Sequence, residues 1–351
     1  MPQLATRLKK ALWIFSAVLA ILICSALFNA LDGLRYRQSY PPPGKIYSVS
    51  GRRMHLYCTG SGSPTLLLEA GLGDDWLSWR KVQPALSSLT RVCSYDRAGF
   101  GWSESQVTTR DSDHIIQELH ALLSVAEISG PMVLIGHSAG GLHIRKYLTK
   151  YPKDVVSLVF VDASTPEQID QLPAEMNQPQ NLRWAEVETL LGIPRLRGRC
   201  GYHEWTGLGI VDSDSQALAA WLRADDCSVS VLSATGQEYA GFKASGQEVA
   251  GTGPFGSLPV LIFSEDADVT PSYWTEYYPL SLHPVFAKTW NSLQEGLKKL
   301  STRSQRIVAR GSSHYVQVDR PDVVIAEVEK LVRTIRGPDK VSQTHGSTIV
   351  E

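Results

Sequence analysis

The chain has 351 residues, 43% of them hydrophobic and 20% charged, and a formal net charge of −1. That balance is ordinary for a globular protein and excludes the basic footprint expected of a nucleic-acid binder; no basic stripe and no internal repeat is present. The length fits one α/β catalytic domain with insertions.

Residues 1–10 carry Arg7, Lys9 and Lys10 ahead of the uncharged run Ala11–Leu31, ALWIFSAVLAILICSALFNAL. At about 1.5 Å per residue that run reaches roughly 30 Å, the thickness of a bilayer core, so it is predicted to be a transmembrane signal anchor with a cytoplasmic N-terminus. A cleaved signal peptide is the competing reading, with SALFNA supplying small residues, but its apolar core normally runs only about 7 to 15 residues. Cys24 does not fit a lipoprotein site, because bulky Ile23 precedes it. With Cys24 inside the span, Cys58, Cys93, Cys200 and Cys227 remain, as two pairs or as free buried thiols.

Residues 32–45, containing SYPPPGK, are expected to form a linker. IYSVSGRRMHLYC then predicts two strands around Ser50-Gly51, TLLLEAG a buried strand, and RVCSYDRAGFGWS a strand breaking into a glycine-rich loop. From Ser112, the apolar residues Ile115, Ile116, Leu119, Leu122 and Leu123 recur at helical spacing, with Asp111 or Ser112 as cap. PMVLIG and SLVFVDAS are continuously apolar strands, as expected when both sheet faces are covered. From about Thr165 to Ser257 the alternation stops, and prolines, helical pieces and Trp184, Trp205 and Trp221 suggest an inserted cap. It resumes with LPVLIFSEDAD, a helical stretch around FAKTWNSLQEGLKKL, SQRIVARGSSH and the last helix RPDVVIAEVEKLVRTI; residues 337–351 read as a disordered tail. Strands alternating with helices imply a mostly parallel sheet, with core segments over 46–164 and 258–336 and the cap over 165–257.

LIGHSAGG, Leu134 to Gly141, places Ser138 between a strand and a helix with glycines on both sides. A serine hydroxyl at its free pKa is a poor nucleophile; it needs a base, a group orienting that base, and donors for the oxyanion. GHSAG fits the Gly-x-Ser-x-Gly elbow, and the preceding strand and following helix are the context that pattern requires. Downstream, PVLIFSEDAD ends a strand in an acidic turn, and His314 is the histidine directly after a late strand. His137 and His143 lie on the elbow and its helix, where packing or pocket lining is expected.

These motifs, YDRAGFGWS, GHSAGG and the two late strand ends in order, make the chain resemble the α/β-hydrolase superfamily over roughly Ile46 to Ile335. The resemblance implies the α/β-hydrolase fold, a mostly parallel eight-stranded sheet flanked by helices with a mainly helical cap inserted after strand 6. It implies Ser138 as nucleophile, His314 as base and Asp268 as acid, counted from Pro259, with Asp266 as alternative and Asp162 as a minor candidate. The oxyanion hole is expected from the backbone N–H groups of Ala139 and Leu72. Ala70 stands where many members carry histidine, which leaves the bracing of that loop open. Glu69 and the DRAGFGWS residues Asp96, Arg97, Gly99 and Gly101 are expected to be structural, with Trp102 a candidate pocket residue. The family's antiparallel second strand lies beside the fourth, which implies a Cys58–Cys93 pair; Cys200 and Cys227 would staple the cap, and disulfides favour an extracytoplasmic domain.

The resemblance implies a serine hydrolase working through an acyl-enzyme on a small-molecule ester or other acyl substrate, without metal or cofactor. Peptidase, lactonase, carbon–carbon hydrolase and cofactor-free haloperoxidase chemistries share the fold, as does a ligand-binding protein without turnover. Serine at the elbow argues against dehalogenase or epoxide hydrolase chemistry, where family members carry aspartate. The oligomeric state is not legible.

Overall fold

The computed structural model describes residues 2–106, 109–177, 182–200, 216–269, 274 and 278–337. Trp205 and residues 338–351 of the expected tail lie outside the described residues. Eight strands form one sheet in the order β1-β2-β4-β3-β5-β6-β7-β8, with β2 antiparallel to both β1 and β4 and the strands from β4 to β8 joined in parallel. The strands are β1 (Lys45–Val49), β2 (Arg52–Thr59), β3 (Thr65–Glu69), β4 (Val92–Tyr95), β5 (Met132–His137), β6 (Val155–Val161), β7 (Val260–Ser264) and β8 (Ser304–Val308).

The apolar runs are continuous because helices cover both faces, and their side chains divide with the strand period of two. Leu67, Cys93, Leu134, Phe160 and Ile262 enter one core, packed with Ile116, Leu119 and Tyr147. Leu66, Leu68, Val133, Ile135, Val159, Val161 and Phe263 enter the other, packed with Val324, Val328 and Val332. Each such side chain contributes about 1.5–3 kcal/mol by leaving water, so a one-residue register slip would exchange the two cores. Ser50 and Gly51 both have positive φ, +50° and +81°, the backbone a two-residue hairpin turn needs between β1 and β2.

The helices used below are α1 (Pro2–Ser39), α2 (Ser112–Val125), α3 (Gly140–Lys150), α4 (Arg183–Leu190), α5 (Ile193–Leu196), α6 (Gln216–Asp226), α7 (Val229–Val249), α8 (His283–Gly296) and α9 (Pro321–Arg336). As expected, Asp111 caps α2, its side chain accepting from His114 N. The described part of the insertion, with α4 to α7, is helical. Both expected disulfides form, Cys58–Cys93 and Cys200–Cys227. The first joins residues directly opposite across β2 and β4, 4.1 Å apart at Cα.

The expected linker is shorter than residues 32–45. Helix α1 continues through Ser39 and stops ahead of Pro41–Pro43, whose rings cannot continue it. What extends it is tertiary: Asp32 pairs with Arg195 at 2.6 Å and Arg37 approaches Asp225 at 3.7 Å, both in the insertion.

Candidate active site

Strand β5 ends at His137 and α3 begins at Gly140, so Ser138 occupies the turn with φ of +50°, a left-handed backbone few residues other than glycine adopt. The turn holds no spare room. A Cβ on Gly136 would lie 2.5 Å from Gly140 O, and one on Gly141 2.5 Å from Ala163 Cβ. This is the tight strand-to-helix elbow that lifts a serine side chain to the sheet's carboxyl edge. Ser138 is half-buried there. Its N–H donates to Val161 O at 3.1 Å and its C=O accepts from Ser164 N at 2.8 Å, so the elbow is laced to both sides of Asp162.

Asp162 follows β6 directly, has φ of +43° and is fully buried. Its carboxylate accepts from His314 Nδ1 at 2.6 Å, Trp290 Nε1 at 2.9 and 3.0 Å, and Glu265 N at 2.9 Å. Three donors from three elements hold one carboxylate in place. With Asp162 as acceptor, Nδ1 of His314 carries the proton and Nε2 keeps a lone pair. The His314 ring packs against His137, Trp290 and Tyr315 at centroid distances of 4.7, 5.8 and 5.6 Å.

Asp268, the acid expected from the sequence, does not meet His314. It is 89% exposed and its carboxylate reaches Arg310 at 3.5 Å. The reason lies in the turn after β7. Asp266 accepts from Gly311 N at 2.9 Å and Arg310 at 3.0 Å, which folds that turn onto the β8 loop and points Asp268 outward. The same contacts make Asp266, the alternative, a loop tie, and the Gly311 N–H, with Asp268 N and Arg310, holds its carboxyl below the usual range. The partner of His314 is instead Asp162, the minor candidate.

Glu265 lies beside this pair, buried, and burial followed by the charges of Asp162 and Asp266 pushes its carboxyl well above the usual carboxylate range. Ligand atoms of Asp162, Glu265 and His314 lie within 4.8 Å of one another, a spacing that a cation could use. The 2.6 Å bond between His314 and Asp162 already commits two of the three ligands to each other.

His137 is buried, donates from Nε2 to His314 O at 3.1 Å, and burial lowers its pKa, so it packs beneath the site as expected. His143 is also buried, bonds Ser112 Oγ at 2.8 Å, and has its pKa pushed far down by burial, then by Arg97 and Arg110.

Leu72 and Ala139, the expected oxyanion donors, lie on the two segments flanking the elbow. Ala139 caps α3 directly after Ser138, and Leu72 sits in the loop after β3. That loop runs against the elbow: a Cβ on Gly71 would be 2.8 Å from His137 Nδ1. Its bracing comes from Arg97, which donates to Ala70 O at 3.0 Å, Gly71 O at 2.6 Å and Asp74 O at 3.3 Å. The same guanidinium pairs with Glu69 at 3.0 Å and Glu238 of α7 at 2.6 Å, all three side chains buried. Burial opposes the Arg97 charge, but Glu238 and Glu69 outweigh it and raise its pKa above the ordinary arginine value. Glu69 is thus structural, as expected, and so is Asp96, which accepts from His55 Nδ1 at 2.7 Å, Trp76 N at 3.2 Å and Trp102 N at 2.9 Å. Trp102, a candidate pocket residue, lies under Arg37 of α1, 4.9 Å from the guanidinium carbon.

The Alpha/beta hydrolase family model matches residues 66–327, which span β3 to α9 and contain Ser138, Asp162 and His314. The chain belongs to the α/β-hydrolase family. An AB hydrolase superfamily protein of Gibberella zeae is 23% identical over 288 residues, 78% of this chain and 87% of that one. The chain spans 31% to 54% of the length of four other curated relatives, among them an uncharacterized protein of Schizosaccharomyces pombe that is 31% identical over 169 residues, or 40% of this chain. Among solved structures, an esterase from Thermogutta terrifontis superposes with a TM-score of 0.58 at 18% identity, covering 84% of this chain and 99% of that one. The epoxide hydrolase CorEH superposes with a TM-score of 0.55 at 20% identity, covering 82% and 96%. This α/β-hydrolase therefore has neighbours with different chemistries, and its own must be argued from its site.

Sequence reasoning passed over Trp290. Its signal was present, since Ala287, Trp290 and Leu293 or Gln294 repeat at helical spacing on the buried face of α8. A buried indole needs an acceptor, and Asp162 is the one it finds.

Proposed function

We propose that this α/β-hydrolase is a serine hydrolase cleaving carboxylic esters through an acyl-enzyme, with Ser138 as nucleophile, His314 as base and Asp162 as the orienting acid. The observation that carries the reading is the left-handed Ser138 elbow laced on either side of the Asp162 that bonds His314. As Ser138 Oγ attacks the ester carbonyl, His314 Nε2 takes its proton, and Asp162 holds the ring in the required tautomer and stabilises the imidazolium. The oxyanion is received by the backbone N–H groups of Leu72 and Ala139. His314 then protonates the leaving alcohol, and a water activated by the same nitrogen releases the acid. Serine rather than aspartate at the elbow favours this route over the chemistry of the epoxide hydrolase neighbour.

The apolar helix, with no window residue buried, supports a single-pass anchor, and two disulfides support a catalytic domain on the extracytoplasmic side. The test is turnover of an aryl-ester series of increasing acyl length beside peptide and lactone panels. Ester hydrolysis is expected, falling at least about 10⁴-fold in Ser138→Ala. Hydrolysis confined to the peptide or lactone panel would replace the ester assignment, and turnover of none by the folded protein would favour a ligand-binding role.

A further inference from the structure

Helix α1 is amphipathic over its last third, and its orientation is the reverse of a helix packed in water. The residues turned toward the protein are polar or small: Ser25, Ala26, Asn29, Asp32, Gly33, Tyr36 and Arg37. Leu27, Phe28, Leu31 and Leu34, on the other side, are exposed. The polar side meets the insertion. Ser25 Oγ donates to Leu191 O, Asn29 Nδ2 to Thr189 O at 2.7 Å, and Arg195 to Asn29 Oδ1 at 2.8 Å and Asp32 at 2.6 Å. The backbones approach closely at Gly192, where a Cβ would lie 3.1 Å from both Asn29 Cβ and Ser25 O.

Polar groups paired within the contact, a small residue where the backbones touch and apolar side chains facing out are the pattern of helix packing in lipid. The insertion continues that apolar surface. Trp184, Val187 and Leu190 of α4 and Leu196 of α5 are exposed, Trp184 by 77%. Around them the exposed charges Arg183, Arg197 and Arg199 outnumber Glu188, which suits phosphate headgroups.

We propose that the corner between α4 and α5, together with the outer face of α1, is seated in the bilayer that α1 crosses, with phospholipid as its occupant. The depth agrees. Ser25 lies six residues before Leu31, the end of the uncharged run, which places the α4–α5 turn about 9 Å inside it at 1.5 Å per residue. Interfacial helices embed their apolar faces by about 5–10 Å. The insertion that Arg97 ties to the oxyanion loop through Glu238 is thereby held at the membrane surface, which gives the site esters of lipid acyl chains as its nearest substrates.

The inference rests on the anchor reading of α1, and its test separates the two. Full-length protein is reconstituted in vesicles of phosphatidylcholine with or without bromine on the acyl chains, and the fluorescence of wild type is compared with Trp184→Phe and Trp13→Phe. Trp13 lies in the span and reports insertion of α1; Trp184 reports the corner. Bromolipid is expected to quench both tryptophan-specific differences by half or more. Quenching at Trp13, with Trp184 unaffected by bromolipid and quenched by aqueous iodide, overturns the proposal and leaves the anchor standing. Quenching at neither removes both. The readout is independent of turnover, so failure of the ester assay does not alter it.

Discussion

Replacing Asp162 with asparagine is expected to lower kcat on an aryl ester by about 10⁴-fold, the scale on which a misoriented or wrong-tautomer histidine fails. Asp268→Asn leaves kcat within about twofold. The contrast follows from position: Asp162 is buried and bonds His314 Nδ1 at 2.6 Å, whereas Asp268 is 89% exposed beside Arg310. An asparagine at 162 can present its amide N–H to Nδ1, which moves the ring proton to Nε2 and leaves no lone pair facing the serine. Steady-state kinetics of the two folded variants decides. Loss in Asp268→Asn with retention in Asp162→Asn would return the acid to the position expected from the strand count.

Arg97→Leu lowers the free energy of unfolding by about 3–5 kcal/mol, the range for removing one partner of a buried ionic network. The substitution leaves Glu69 and Glu238 buried without their cation, and it frees Ala70 O, Gly71 O and Asp74 O in the loop that carries Leu72. Arg97→Lys is also destabilised, because one ammonium cannot replace a fork that reaches six acceptor atoms on five residues. The exposed pair Arg53–Glu104 is the internal control, and Arg53→Ala costs less than about 1 kcal/mol. Denaturant titration of the detergent-solubilised protein measures all three. A loss below about 1 kcal/mol in Arg97→Leu would mean that the network does not hold the loop to the insertion.

Both the fold and the tight turn around Ser138 were legible where local chemistry and global position agree. Runs such as PMVLI and SLVFV are apolar at every position because both sheet faces are covered, and glycines around Ser138 are required by a turn with no space for side chains. The carboxylate that meets His314 was not legible, because distance past a strand does not reveal which way the following loop folds. The ties from Asp266 to Gly311 and Arg310 decide that, and they join residues more than forty positions apart. In VFVDAS, by contrast, the aspartate stands at the end of the strand beside the elbow strand, a signal that only sheet order makes readable. The length of α1 was hidden for a related reason: the arginine that pairs with Asp32 lies in α5, beyond β1 to β6 in sequence. Bracing of the loop at Ala70 was hidden too, since Arg97 and Glu238 meet only in the folded chain.

The most direct measurement of the central claim is labelling with a fluorophosphonate, which reports a serine activated by a neighbouring base. Mass spectrometry of the digested wild type is expected to find the adduct on Ser138, with labelling abolished in Ser138→Ala and strongly slowed in Asp162→Asn. Folded wild-type protein that stays unlabelled, or Ser138→Ala that labels equally, would contradict the assignment of Ser138 as the nucleophile.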